Sequence, residues 1–402
     1  MLTKLKNIDN KKFNDCLLVT NIIRREGPLT KQQIIDKTGY KLTTLARIID
    51  WLLQNEIICI NDTDISTGGR KPARYKLNPH AGYIIGIDIA RMYTKVALVD
   101  LDYNIVKLVS FGMFEESTWE ITHKKITDII ADFSKDIDKE KIIGIGVGAV
   151  GPIDKLNGIL INPVNFPSSG WNNINIKKSL EESTGFQVVI ENGVNAAVLA
   201  EYNSTYYKNY SSIVYINAGV GLRLGLITRS GIPENSYSNE EGFGHMTVDI
   251  GGKSCHCGNK GCIETYVSIP AILDSYKNEL KKGQHSTILD KINFDLSAIS
   301  FDMFCEEVEA GDYLAESIVN KAAEYFASAL SNTINLINPE VVILGGPLIK
   351  KCKKFYDLSI FFAKEKINKC LAPNIIFSLG QLGENAVNIG AANIALDHFL
   401  GT

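Results

Sequence analysis

No stretch constrains the backbone more than Gly242 to Glu264, which reads Gly-Phe-Gly-His-Met-Thr-Val-Asp-Ile-Gly-Gly-Lys-Ser-Cys-His-Cys-Gly-Asn-Lys-Gly-Cys-Ile-Glu. It holds three of the eight cysteines. Glycine-bearing turns join Cys255, Cys257 and Cys262, so three thiolates can converge on one ion, and His245 approaches from a separate segment. Zn2+ takes four such soft or borderline ligands in a tetrahedron, and the spacing predicts a closed structural zinc site. The competing outcomes are a reduced cluster or a disulfide, but Cys-x-Cys is too tight for an unstrained internal bridge and no secretory signal precedes it. His256 competes for the fourth position. Wedged between two ligand cysteines, it is expected to be pushed outward by the turn.

At 402 residues the chain exceeds one ordinary core, so two or three domains are expected; 45% hydrophobic and 22% charged residues are normal for a folded soluble chain. No apolar run approaches membrane-spanning length, and the opening Met-Leu-Thr-Lys-Leu-Lys-Asn lacks a signal-peptide core, which predicts a cytoplasmic protein. Cys16, Cys59, Cys305, Cys352 and Cys370 are scattered and expected to be reduced. Charge is split unevenly: residues 1–80 carry 14 Lys/Arg against 8 Asp/Glu, and the remainder 28 against 37. A basic head on an acidic body suggests a polyanionic partner for the head alone.

Residues 14–25 place apolar side chains at helical spacing and stop at Gly27-Pro28. Thr30 can cap a second helix, Lys31 to Thr38, which ends at Gly39. A third, Leu42 to Asn55, sets Leu42, Leu45, Ile48, Ile49, Leu52 and Leu53 on one face. Three short helices with a tight glycine turn before the third read as a helix-turn-helix. The third helix exposes Lys41, Thr43, Thr44 and Arg47 near its N-terminus, the end that meets base edges in a major groove. After it, the β run from Glu56 to Ile60, a polar turn from Asn61 to Gly69 and a return strand Arg74 to Leu77 form a wing, whose tip carries Arg70 and Lys71 toward phosphates or a minor groove. The bland alternative is a three-helix interaction module that meets no nucleic acid.

The run Gly-His, a spacer, then Cys-x-Cys-Gly-Asn-x-Gly-Cys-x-Glu-Thr-Tyr resembles the signature of the ROK family, which contains sugar kinases and sugar-responsive repressors. Further similar segments follow in order. Tyr83–Asp88 and Lys95–Asp100 resemble the opening hairpin of an actin-like lobe; Ala149–Asp154 and Asn165–Trp171 match substrate-side segments; strand Gln187–Ile190 leads into Glu191-Asn-Gly-Val-Asn195. A second lobe starts at Ser212–Ile216 and carries Ala218-Gly-Val-Gly221, the cysteine loop, a helical region from Ile269 to Leu336, and strand Glu340–Leu344 before Gly345-Gly346-Pro347. The resemblance implies an α/β fold: a winged helix-turn-helix over 1–80, then a two-lobed, sugar-kinase-like ROK domain. Its first lobe covers 81–200, joined by a last helix in 386–402, and its second covers 201–385.

In the kinases of this family the Asp of Glu-Asn-Asp-Ala-Asn is the general base; here that position is Gly193, and loss of such a base costs about 10²–10⁴ in rate. The family's first phosphate loop reads Asp-x-Gly-Gly-Thr, whereas Asp88 is followed by Ile-Ala-Arg-Met-Tyr; the second has become Ala218-Gly-Val-Gly-Leu-Arg-Leu224. Three lesions imply that no phosphotransfer remains, unless another carboxylate such as Asp154 substitutes. Of the sugar ligands, Asn192, His245 and Glu264 survive, while Gly193 and Gly242 replace the other two, each a loss of about 1.5–3 kcal/mol. Zinc would orient His245 and Glu264 rather than catalyse. The resemblance therefore implies the branch that holds xylose and N-acetylglucosamine repressors: a homodimer, or a dimer of dimers, on a palindromic operator of double-stranded DNA, with recognition helices roughly 34–36 Å apart. A sugar or sugar-phosphate effector would bind between the lobes at Asn192, His245 and Glu264; Arg223 is compatible with the phosphate, although it reads first as a surface or interlobe arginine. The rivals are a sugar kinase with an appended DNA-binding head, and a DNA-binding regulator with a ligand-free, vestigial cleft.

Overall fold

The computed structural model describes residues 5, 10–61, 72–164, 166–204, 207–233, 240, 242–371 and 374–401. The N-terminal unit is three helices, α1 (Asn10–Glu26), α2 (Lys31–Thr38) and α3 (Leu42–Gln54), with three short antiparallel strands, β1 (Leu29–Thr30), β2 (Ile58–Ile60) and β3 (Arg74–Leu77), in the order β1-β3-β2. Helix α2 begins where a capping box forms: the Thr30 hydroxyl accepts from the Gln33 amide at 3.3 Å, and Gln33 Oε1 accepts from the Thr30 amide at 2.9 Å. It ends at Gly39, which adopts φ 68°, a left-handed value that favours glycine. Helix α3 buries Leu45, Ile48, Ile49 and Leu52. Leu42, expected on the same face, is 61% exposed, because residues 41–44 all stand clear of the packed part of the helix; Leu53 is only half-buried at the rim.

This unit does not close its own core. Cys16, Val19, Ile23, Leu45 and Leu52 share one apolar cluster with Ile84, Ala97 and Val99 of the next sheet and with Ala392, Leu396 and Leu400 near the C-terminus. A buried ion pair crosses the same boundary: Arg24 bonds Asp397, and its guanidinium also donates to the Tyr103 hydroxyl at 3.1 Å.

The rest is mixed α/β, as the sequence implied. Strands β4 (Tyr83–Ile89), β5 (Tyr93–Asp100), β6 (Ile105–Gly112) and β7 (Ile142–Ala149) are followed by three short ones, β8 (Ile153–Asp154), β9 (Ile159–Leu160) and β10 (Ile174–Asn175), and then by β11 (Val188–Asn192). The five-stranded sheet runs β11-β7-β4-β5-β6, parallel from β11 to β4 and antiparallel beyond. Strand β6 went unread in the sequence; Asp100 sets its turn by accepting from the amides of Asp102 and Asn104, both at 2.9 Å. Helices α4 (Trp119–Phe133) and α5 (Ile176–Thr184) join the apolar cluster on one face of this sheet. Helix α6 (Gly193–Asn203) leads to β12 (Ser212–Ala218) and β13 (Leu222–Thr228).

A short helix, α7 (Glu264–Val267), precedes the expected helical region, which holds four α-helices: α8 (Ile269–Lys281), α9 (Ile288–Lys291), α10 (Phe301–Glu309) and α11 (Tyr313–Ile337). Strand β14 (Val341–Gly345), helices α12 (Pro347–Lys351) and α13 (Lys353–Lys366), strand β15 (Ile376–Ser378) and helix α14 (Ala386–Leu400) complete the chain. The second sheet is β13-β12-β14-β15, a hairpin extended by parallel strands like the first. Helix α14 lies directly on the first sheet. A Cβ on Gly86 would sit 2.1 Å from the Asn388 carbonyl oxygen and one on Gly146 1.8 Å from that of Ala391, so only glycine permits this approach. No helix among the described residues is long and apolar enough to cross a membrane.

Candidate functional site

Cys255, Cys257, Cys262 and His245 come together: one ligand atom from each lies within 4.8 Å of every other. Cys257 and Cys262 Sγ are 3.6 Å apart, as are Cys255 Sγ and His245 Nδ1. A tetrahedron with Zn–S near 2.3 Å and Zn–N near 2.1 Å has edges of about 3.6–3.8 Å, so the donor set fits a metal in number, type and spacing. The loop is fixed by its backbone. The Cys255 amide donates to the Asn259 carbonyl at 2.8 Å, and Gly261, at φ 71°, passes so close to Asp249 that a Cβ would be 1.6 Å from its carbonyl oxygen. Burial pushes the Cys262 thiol up to about 12, so a thiolate there calls for a cation beside it. His256 also approaches Cys255, at 3.8 Å, but its side chain is largely exposed and turned toward Glu264 Oε1 at 3.9 Å.

Ligand crevices in open α/β sheets lie outside the carboxyl ends of the parallel strands. There β4 ends before Arg91, β7 before the loop to Lys155, β11 at Asn192, and β12 at the Ala218–Gly221 turn. The Asn192 side chain caps α6, accepting from the Val194 amide at 3.1 Å, and its Nδ2 lies 3.4 Å from Glu240 Oε2. Asn195 Nδ2 donates to Glu240 Oε1 at 2.5 Å and to Glu191 Oε1 at 3.1 Å. Lys155 Nζ bridges the two carboxylates, 2.6 Å from Glu191 and 3.5 Å from Glu240. Glu264 Oε2 accepts from the Leu222 amide at 2.8 Å and pairs with Arg223 at 3.2 Å. A cavity of about 440 Å³ opens beside Glu264, bordered by Val220, His256, Thr265 and Ser268. Asp154 is engaged locally: the side-chain hydrogen bond from Asn157, at 2.7 Å, heads the contacts that hold its carboxyl below the usual range.

A second polar group stands near the carboxyl end of β4. Asp88, 4% exposed, faces Lys95 across the β4–β5 pair. Lys95 Nζ stands 4.8 Å from the centre of the Tyr93 ring and donates to the Glu384 carbonyl at 3.1 Å, with Glu384 Oε2 at 3.4 Å. Glu384 in turn bonds Lys350 of α12, so the group links both sheets' elements. Burial pushes the Asp88 carboxyl up to about 7 against the opposing pull of Lys95, and Asp88 Oδ2 has no hydrogen-bond partner. Arg91 Nε donates to the Val164 carbonyl at 2.8 Å, and its Nη1 would lie 3.4 Å from a Cβ on Gly221.

Sequence reasoning missed Lys155, Glu240, Lys95 and Glu384. Glu240 meets its partners across 45 and 48 residues and Lys95 meets Glu384 across 289, distances at which no local spacing signals a contact. On α3, Lys41, Thr43, Thr44 and Arg47 are all exposed on the first turns, where they had been expected. Arg70 and Lys71, at the tip of the wing, lie outside the described residues.

The model of the ROK family matches residues 84–398. The xylose repressor of Bacillus subtilis is 29% identical over 396 residues, covering 97% of this chain and 96% of its own. The glucokinase of Thermotoga maritima is 28% identical over 322 residues, covering 79% of this chain and 98% of its own. Among solved structures, a ROK family transcriptional regulator described as a homolog of the E. coli MLC protein superposes with a TM-score of 0.79 at 21% identity, covering 98% of each chain. The repressor and the regulator are matched from end to end, the glucokinase over four-fifths of this chain, and the family match takes in both sheets and the cysteine loop: this chain belongs to the ROK family.

Proposed function

We propose that this chain is a DNA-binding transcriptional repressor of carbohydrate-utilisation genes, released or retained on its operator by a sugar held between the two sheets. The observation that carries the reading is the exposed row Lys41, Thr43, Thr44 and Arg47 on the third helix of a helix-turn-helix unit, on a chain similar over its whole length to xylose repressors. The row reads bases or phosphates, with Arg70 and Lys71 of the wing on the flanking backbone. Residues 1–80 form the head, 81–200 with 386–402 one lobe, and 201–385 the other. Two copies bind a palindromic operator, and Asn192, His245 and Glu264 belong to the effector site. The ion held by His245, Cys255, Cys257 and Cys262 is a structural Zn2+, which fixes the segment that presents Glu264.

Phosphotransfer is absent in this reading. Gly193 offers no base, and the Lys95–Glu384–Lys350 group with Tyr93 stands where a nucleotide's phosphates would need open glycine amides. The decisive experiment measures affinity, at fixed salt, for the DNA upstream of the chain's own gene neighbourhood. Tight binding, weakened about 10–100-fold by Arg47→Glu and relieved by a sugar, is expected. Binding indifferent to Arg47→Glu would overturn the assignment of the helix; sugar-dependent ATP turnover would overturn the loss of kinase activity.

A further inference from the structure

The family's sugar site loses two carboxylates here, at Gly193 and Gly242, yet a carboxylate stands beside Asn192 all the same. It arrives from elsewhere. Glu240 is 7% exposed, and its two oxygens face the side-chain amides of Asn192, at 3.4 Å, and Asn195, at 2.5 Å. The space a side chain at 193 would enter is not taken by its neighbours: a Cβ on Gly193 would meet nothing closer than Val387 Cγ1 at 3.6 Å and the Ala149 carbonyl at 3.8 Å. Beside that position a carboxylate lies against two carboxamides, the pairing that suits a hydroxyl, which donates to one and accepts from the other.

The charges say what kind of ligand. Lys155 is paired with Glu191 at 2.6 Å and with Glu240 at 3.5 Å, and Arg223 with Glu264 at 3.2 Å. Arg91 Nη1 stands near the same Arg223–Glu264 pair, all within 3.4 Å of where a Cβ on Gly221 would lie; a phosphate ester would compete with these carboxylates for the cations and bring its own charge close to three of them. An uncharged polyol only shares the existing oxygens. We propose that Glu240 reads the hydroxyls of an uncharged saccharide in this chain, in place of the carboxylates missing at Gly193 and Gly242. The inference rests on the effector reading above, and narrows it from sugar or sugar phosphate to neutral sugar.

The test is calorimetric titration of the full chain with D-xylose, D-glucose and N-acetyl-D-glucosamine and with the corresponding phosphate esters. The tightest neutral sugar is then repeated as its series of monodeoxy analogues on wild type and Glu240→Gln. A neutral sugar is expected to bind at least tenfold more tightly than its ester, and Glu240→Gln to weaken it at least tenfold. One deoxy analogue, already weakened in the wild type, should lose nothing further in the variant, because the missing hydroxyl and the missing charge are the same contact. An effect of Glu240→Gln within twofold, an equal further loss on every analogue, or tighter binding of an ester overturns the proposal. If Glu240→Gln does not fold, Glu240→Asp, which keeps the charge and withdraws it by one methylene, carries the same cycle. Absence of binding to any of the neutral sugars also overturns it, and operator binding by the same preparation then decides separately whether the repressor reading stands.

Discussion

The crevice has two ends of opposite character. At one, Lys95 meets Glu384, which also bonds Lys350, the Tyr93 ring covers the lysine, and Asp88 is buried behind them with one carboxyl oxygen lacking a hydrogen-bond partner. At the other, Asn192, Asn195, Glu191, Glu240 and Lys155 form a network of amides and carboxylates whose entrance is marked by the partly exposed Lys155. The first end needs no ligand to neutralise it, and the second is built from groups that hydroxyls bond well. The two ends thus consist of separate sets of residues, so their roles can be tested one at a time.

The comparison can be broken or sharpened by four measurements. The largest effect is expected at the cysteine loop: Cys262→Ser removes a buried thiol of the candidate metal set, and native mass spectrometry should find no zinc while the melting temperature falls by roughly 10 °C. Retained zinc with an unchanged melt would detach the loop from the crevice. Next, Asn192→Ala should weaken binding of the effector sugar about tenfold or more, since it deletes one hydrogen-bonding amide and the cap of α6, whereas Lys350→Ala at the first end should leave it within twofold. Equal losses from both would make the two ends one site.

A smaller effect tests the buried acid. The folded-state value of Asp88, pushed up to about 7, lies above the ordinary carboxylate range near 3.9, so the folded chain holds a proton that the unfolded chain has released between those limits. Its contribution to stability is complete below about pH 4 and is lost as pH rises through about 7. Asp88→Asn should therefore melt a few degrees above wild type at pH 8, with the gap narrowing as pH falls and closing near pH 4; a gap independent of pH would mean that Lys95 keeps the carboxylate charged. The smallest effect is expected from Gly193→Asp. A Cβ fits at the position in ordinary contact, yet ATP turnover with any of the three neutral sugars should stay at background, because the other end is unchanged. Turnover above background would show that the first end still admits a nucleotide.

Much of this was legible in the sequence, for reasons that differ by region. Cys255, Cys257 and Cys262 sit in one turn-rich segment, so their spacing nearly fixes their geometry, and the capping box at Thr30 with the glycine stop at Gly39 fixes α2 to the residue. Strands β4 and β7 announce themselves as continuous apolar runs because both faces are covered. Strand β6 does not: its half-exposed Ile-Val-Lys-Leu-Val-Ser has no clean alternation, as befits an edge. Leu42 was misread because helical periodicity identifies a face and says nothing of where along the axis the core ends. Glu240 and Lys95 were missed because their partners are brought to them only by the packing of one sheet's elements against the other's.

The junction of the N-terminal helices with the body bears on how such chains can be recombined. A cut near residue 80 passes through a shared apolar cluster, not a linker: it bares Ile84, Ala97, Val99, Leu396 and Leu400 on one product and strands the Arg24 guanidinium without Asp397 on the other. Packed on another body that lacks Asp397, the Arg24 charge would be buried without its partner, at a cost of several kcal/mol, comparable to the whole stability of a small unit. Swapping this head onto a different body, to give a familiar sensor a new operator, therefore means exchanging the underside of α1, the Tyr103 turn and the last turns of α14 together, as one inherited joint.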